Sequence, residues 1–164
     1  MDEMNMDLIE IFVGLASNGE VVREELPARK LDENIYELLA SPGLALHVAK
    51  GDIIKIASPS VPVEIVRRGG NVCVQIFAES NLSSDERRQI DEDFRSALLG
   101  SVDGETAKNM CFSVPARIGF PAIERFFNEL SDRCKHINWY FGNVYADDGI
   151  TPLNWWALDD KGGA

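Results

Sequence analysis

Near residue 80 the spacing of apolar residues changes period, and that change confines the chain to an α+β fold. Before it, short apolar runs separated by turn residues predict closely spaced strands. Residues 8–15 form the first, and Ser17-Asn18-Gly19 supplies a hairpin turn of residues that tolerate positive φ. Residues 20–28 return as its partner, with Pro27 restricting that strand to an edge or an end. Residues 34–39 are a further short strand, Ser41-Pro42-Gly43 breaks the chain, and residues 44–50 fit neither pattern clearly. Gly51-Asp52 opens a strand over 53–57, and strands at 61–68 and 71–77 are joined by Gly69-Gly70, a two-residue hairpin signal. So many short strands with tight turns predict a small barrel-like or bent antiparallel sheet.

Beyond residue 80 the pattern alternates. Ser83 and Glu86 have the spacing of a capping box, and the helix that follows puts Ile90, Phe94, Ala97 and Leu98 on one face. A strand over 109–114 ends at Pro115. A second helix begins near Pro121, with Ala122, Ile123, Phe126, Phe127 and Leu130 as its apolar stripe. A strand at 137–144, a turn at Asp147-Asp148-Gly149 and a returning strand at 153–158 complete the chain. With residues 71–77 as its first strand, this half is expected to be a ferredoxin-like split β-α-β unit with a C-terminal hairpin. The expected division is a β-rich subdomain over 1–80 and an α+β subdomain over 81–164, sharing strand 71–77 within one compact unit.

Composition removes several function classes. The net charge of −11 opposes nucleic acid and anionic membrane surfaces and suits a basic protein partner. No run of about 18 apolar residues is present to span a bilayer, and the acidic start Met1-Asp2-Glu3 lacks a signal-peptide layout. Cys73, Cys111 and Cys134 are odd in number and widely spaced, which favours reduced thiols. A cytoplasmic location is the expectation.

Asn34-Ile35-Tyr36-Glu37-Leu38, then Gly43-Leu44-Ala45, then Gly51-Asp52-Ile53-Ile54 precede Val63-Glu64-Ile65-Val66 and Gly69-Gly70-Asn71-Val72-Cys73-Val74. This order resembles a bacterial family, domain of unknown function 4265, in which a Gly-Asp-apolar-apolar step follows a short Tyr-x-Leu strand. Phe112-Ser113-Val114-Pro115 and Trp139-Tyr140 extend the resemblance over roughly residues 7–145. The family implies an architecture and no catalytic residues. The segment from Asp147 to the C-terminus departs from its pattern.

Catalytic and metal-binding signals are weak. Cys134 and His136 are the one close Cys/His pair, far short of a four-ligand zinc site. His47 and His136 sit in no nucleophile motif, and Gly69-Gly70 lacks the following helix of a phosphate loop. No cofactor, metal or catalytic residue is therefore expected. Acidic pairs such as Glu24-Glu25 point to opposite faces of a strand. The informative feature is aromatic: Trp139, Tyr140, Phe141, Tyr145, Trp155 and Trp156 crowd the C-terminal end. Sheet-on-helix packing accounts for much of this. Trp139, Tyr145, Trp155 and Trp156, ringed by Asp147, Asp148, Asp159 and Asp160, would alternatively form a hot spot for a basic protein. The expected function is non-enzymatic protein binding, as in an immunity-type protein that occludes a cognate toxin. A small-molecule module and an unrecognised enzyme are the alternatives.

Overall fold

The computed structural model describes residues 6–157. Strands β1 (Met6–Leu15) and β2 (Val21–Asp32) form the hairpin that Ser17-Asn18-Gly19 dictates, with Gly19 at φ 86°. The chain meanders on through β3 (Ile35–Leu38), β4 (Ile53–Lys55) and β5 (Glu64–Arg67), giving an antiparallel sheet in the order β1-β2-β3-β4-β5. The sheet does not close into a barrel, because β1 and β5 do not pair. Strands of three or four residues carry too few ladder bonds to bend it shut. Its apolar face is covered instead by the 39–52 connection, whose Ala45 and Val48 pack with Ile9, Ile11, Leu26, Leu38 and Ile54. That connection holds the stretch at 44–50 that fits neither period.

Pro27 lies inside β2, a strand paired on both sides, contrary to the expected edge or end. Its carbonyl accepts from Leu39 N–H at 3.0 Å, just past the end of β3. In an antiparallel ladder N–H and C=O of one residue point the same way, so the missing donor faces a side where the neighbouring strand has stopped.

The second sheet contains β6 (Asn71–Ala78), β7 (Ser101–Glu105), β8 (Asn109–Pro115) and β9 (Ile137–Phe141), in the antiparallel order β7-β8-β6-β9. Helix α1 (Ser84–Ala97) starts with the expected capping box, and α2 (Phe120–Arg133) has proline in its first turn. Val72, Val74, Ile76, Phe112 and Val114 meet Ile90, Phe94, Ile123, Phe127 and Leu130 in the main core. Strand β7 was not foreseen: its Ser-Val-Asp-Gly-Glu sequence has poor β propensity and forms by pairing with β8 across a bulge.

Gly69-Gly70 is not a hairpin turn, since β5 and β6 belong to different sheets. It is a crossing point: a Cβ on Gly69 would sit 2.3 Å from the carbonyl carbon of Gly51. Gly69→Ala is expected to cost at least about 1–3 kcal/mol, because backbone must shift to make room; denaturant melts check it, and an unchanged midpoint would refute the close crossing. The returning strand expected at 153–158 does not form over the described residues 153–157. Its hairpin is reduced to a short turn in which Ala146 N–H donates to Thr151 O at 2.9 Å and Leu153 N–H to Val144 O at 2.8 Å. Tyr145 and Pro152 make one isolated bridge, then Asn154 at φ 58° turns the chain into a helical turn beginning at Trp155.

Candidate functional site

Strand β9 is one of the two edges of the second sheet, opposite β7. A groove of about 500 Å³ runs beside it, lined by Trp139, Tyr140, Phe141 and Gly142, with Glu124 from α2, the Leu46-His47 loop, Tyr145 and Asp147 as walls. Trp139 packs on Phe127 and Phe141, with ring centroids 5.6 and 5.0 Å apart, and its indole N–H donates to Asn128 Oδ1 at 3.0 Å. Tyr140 lies on the opposite face beside Phe77. Burial pushes its phenol above the ordinary 10.0, helped by nearby Cys73 and Glu24, so it stays a neutral hydrogen-bond donor.

The rim is polar and partly acidic. His47 adopts φ 75°, unusual for a non-glycine residue, and its Nε2 lies 2.7 Å from Asp147 Oδ1. The backbone there is held from both sides: His47 N–H donates to Gly142 O at 2.8 Å, and Arg68 donates to the His47 carbonyl at 2.7 Å. Glu124 is exposed on the other wall.

The residues expected to form a binding surface separate into three groups. Trp139, Tyr145 and Asp147 do share the groove, and Tyr145 is 37% exposed. Trp155 is only 5% exposed, so it is core; Trp156 is half-buried and packs on Phe120 at 4.9 Å. Asp148 serves its own turn, accepting from Ile150 N–H, Thr151 N–H and the Thr151 hydroxyl, which hold its carboxyl below the usual range. Asp159 and Asp160 lie outside the described residues.

Leu46, His47, Glu124, Tyr140 and Phe141 are groove residues that sequence reasoning did not select. The signal for two of them was present: Ile137-Asn138-Trp139-Tyr140-Phe141 has aromatic side chains on both faces of one strand. A strand buried on one face only would alternate with polar residues.

A second polar cluster lies between the sheets, its serines buried and its carboxylate half-buried. Ser41 and Ser113 hydroxyls are 2.6 Å apart, Ser113 donates to Asp103, and Ser41 N–H donates to the same carboxylate at 2.7 Å. Both serines are buried, and no histidine joins them. Burial pushes the Cys111 thiol up to about 12, with Asp103 and Glu24 adding to the shift, and raises Cys73 well above its ordinary value. Neither is a thiolate at neutral pH. Cys134 is the half-exposed one of the three free cysteines. A thiol titration should therefore count about one fast-reacting group in the native protein and all three after denaturation; rapid labelling of Cys73 or Cys111 would contradict their burial. His136 bridges Ser80 and Glu86, each at 3.2 Å. Among the described residues no group of three or more His, Cys, Asp or Glu is arranged to hold a metal ion, and no helix is long and apolar enough to cross a membrane.

Comparison with known proteins fits this architecture. No curated protein matches the sequence. A solved structure of a hypothetical protein from Neisseria gonorrhoeae is similar with a TM-score of 0.59, over 83% of this chain and 94% of its own, at 11% identity. At that identity the likeness is one of fold. The family model described as a domain of unknown function (DUF4265) matches residues 24–136, which include the Gly51-Asp52 step, both crossing glycines and the strand ending at Pro115. That match spans well over half of the sequence, and the chain belongs to the DUF4265 family.

Proposed function

We propose that this protein is a non-enzymatic binding protein that captures a basic partner protein at the β9 groove, in the manner of an immunity protein occluding a toxin. The observation that carries the reading is the groove itself: an aromatic floor of Trp139, Tyr140, Phe141 and Tyr145 between the carboxylates of Glu124 and Asp147. Aromatic anchors supply the desolvated centre of an interface, and rim carboxylates on a chain of net charge −11 steer a cationic partner into register. A ferredoxin-like reading of the second half is supported by the β7-β8-β6-β9 order with a helix after β6 and another after β8. Three free thiols support a reducing, cytoplasmic setting.

A small-molecule module is the second reading, because about 500 Å³ lies within the range of ligand pockets. Exposed Glu124, Tyr140, Tyr145 and Asp147 leave the groove open along its length, which favours a polypeptide over an enclosed ligand.

Affinity purification from the native host tests the proposal, with wild type compared against a Glu124→Lys, Asp147→Lys double variant. A basic protein should co-elute with wild type at low salt and be lost at high salt. The variant should bind it roughly tenfold more weakly or worse, with an unchanged melting temperature. A partner retained by the folded variant, or no partner at low salt, overturns it.

A further inference from the structure

We infer that the β9 groove receives its occupant as an added β-strand, an extended basic segment hydrogen-bonded to Trp139 and Phe141; this rests on the binding role proposed above. Consecutive residues of a strand point to opposite faces. Trp139, Tyr140, Phe141 and Gly142 nevertheless all line one groove, so it runs along the strand's edge, not over a face. The two walls agree. Glu124 stands on the side of α2, where Trp139 packs, while Ala45 beside Leu46 bonds through its carbonyl to Gln75, which pairs with Tyr140.

The phase of the ladder fixes which backbone groups face outward. Gly142 N–H donates to Cys73 O at 2.7 Å, and Glu79 N–H donates to His136 O at 2.9 Å. Those bonds make Asn138 and Tyr140, opposite Phe77 and Gln75, the residues that bond inward to β6. Trp139 and Phe141 therefore aim N–H and C=O into the groove, in the spacing that an incoming strand requires.

The other sheet edges are blunted and this one is not. Strand β1 has a register shift at Phe12/Gly14, and β7 has one at Val102/Gly104. Strand β5 is four residues long and begins and ends in charge. Strand β9, Ile-Asn-Trp-Tyr-Phe, pairs through five successive residues without a shift and has no proline and no charged side chain. Soluble proteins protect exposed edges by such devices, and an edge lacking all of them is one kept open for pairing. A second copy of the chain is a poor occupant, because edge-to-edge pairing would bring two sets of Glu124 and Asp147 together on molecules of charge −11. A strand with lysine or arginine flanking apolar residues fits.

The probe is a ten-residue peptide alternating lysine and valine, used below its self-association concentration with the full-length protein. Binding should slow amide hydrogen exchange at Trp139 and Phe141. Methylating the amides along one edge of the peptide should weaken binding roughly tenfold or more, and methylating the other edge should change it less than about threefold. Equal effects of the two methylation patterns, binding without protection of those amides, or no binding overturns the strand inference. Protection without peptide, with self-association in sedimentation, assigns the edge to a second copy and overturns it too. Loss of host-partner capture in the Glu124→Lys, Asp147→Lys variant would still leave the binding role standing. Capture insensitive to those changes defeats that role, whatever the peptide does.

Discussion

Asp52→Ala should cost about 3–5 kcal/mol, because it strands a partly buried guanidinium and orphans two backbone donors at once. Asp52 is almost wholly buried. Its carboxylate accepts from Ala49 N–H at 3.0 Å, Gly69 N–H at 2.8 Å and Arg68 Nη1 at 3.2 Å. Those three donors come from the 39–52 connection and from the crossing between the sheets, so one side chain fixes the path of both. Urea denaturation of the purified variant measures the loss, and a cost below about 1 kcal/mol would mean that the crossing is held by packing alone.

The same carboxylate predicts a pH dependence. Burial raises its pKa above the ordinary 3.8, outweighing the bonds from Gly69, Ala49 and Arg68 that pull it down. The folded state thus holds this proton more tightly than the unfolded state. Its contribution is complete below the unfolded value and is lost as pH rises through the folded one. Compared with Asp52→Asn, which cannot titrate, wild type should gain relative stability on acidification from neutral pH through that window. A margin that stays constant or shrinks would contradict the sign.

This geometry also explains how far the sequence could be read. Gly51-Asp52, part of the step that carries the family resemblance, is a structural joint: Gly51 stands at φ 91° against Gly69, and Asp52 caps the junction. Local signals gave every strand but β7, the capping box and both helices, and overcalled one strand at 153–158, because each rests on neighbours a few residues away. Gly69-Gly70 misleads for the opposite reason. Two glycines between apolar runs are as compatible with a close crossing as with a hairpin, and only the distant Gly51 decides between them. Strand β7 was invisible because its partner, not its own sequence, makes it a strand. The groove was half legible: Trp139, Tyr145 and Asp147 stood out by residue type. Leu46, His47 and Glu124 arrive from elements 70 or more residues earlier, or from another layer, and nothing local marks them.

Trp155 and Tyr145 separate the buried part of the aromatic cluster from the exposed part proposed to bind a partner, and truncating each should give opposite phenotypes. Trp155 is buried, donates its indole N–H to Asn143 O at 2.9 Å, stacks edge-on with Trp156 at 5.3 Å and lies 5.7 Å beneath the Arg68 guanidinium. Asn143 in turn accepts from Cys73 N–H at 2.8 Å and donates to Asn71 O at 2.9 Å, tying the C-terminal turn to β6. Trp155→Ala leaves a large cavity and an unpaired carbonyl and should cost about 3–5 kcal/mol. Tyr145 makes one tilted ring contact with Phe141 at 6.4 Å and borders solvent, so Tyr145→Ala should cost less than about 1 kcal/mol. Partner capture should behave inversely, falling roughly tenfold with folded Tyr145→Ala. Melting curves paired with capture from host extract measure both. If Tyr145→Ala keeps full capture, or if Trp155→Ala melts with wild type, the division between buried anchor and exposed contact is wrong.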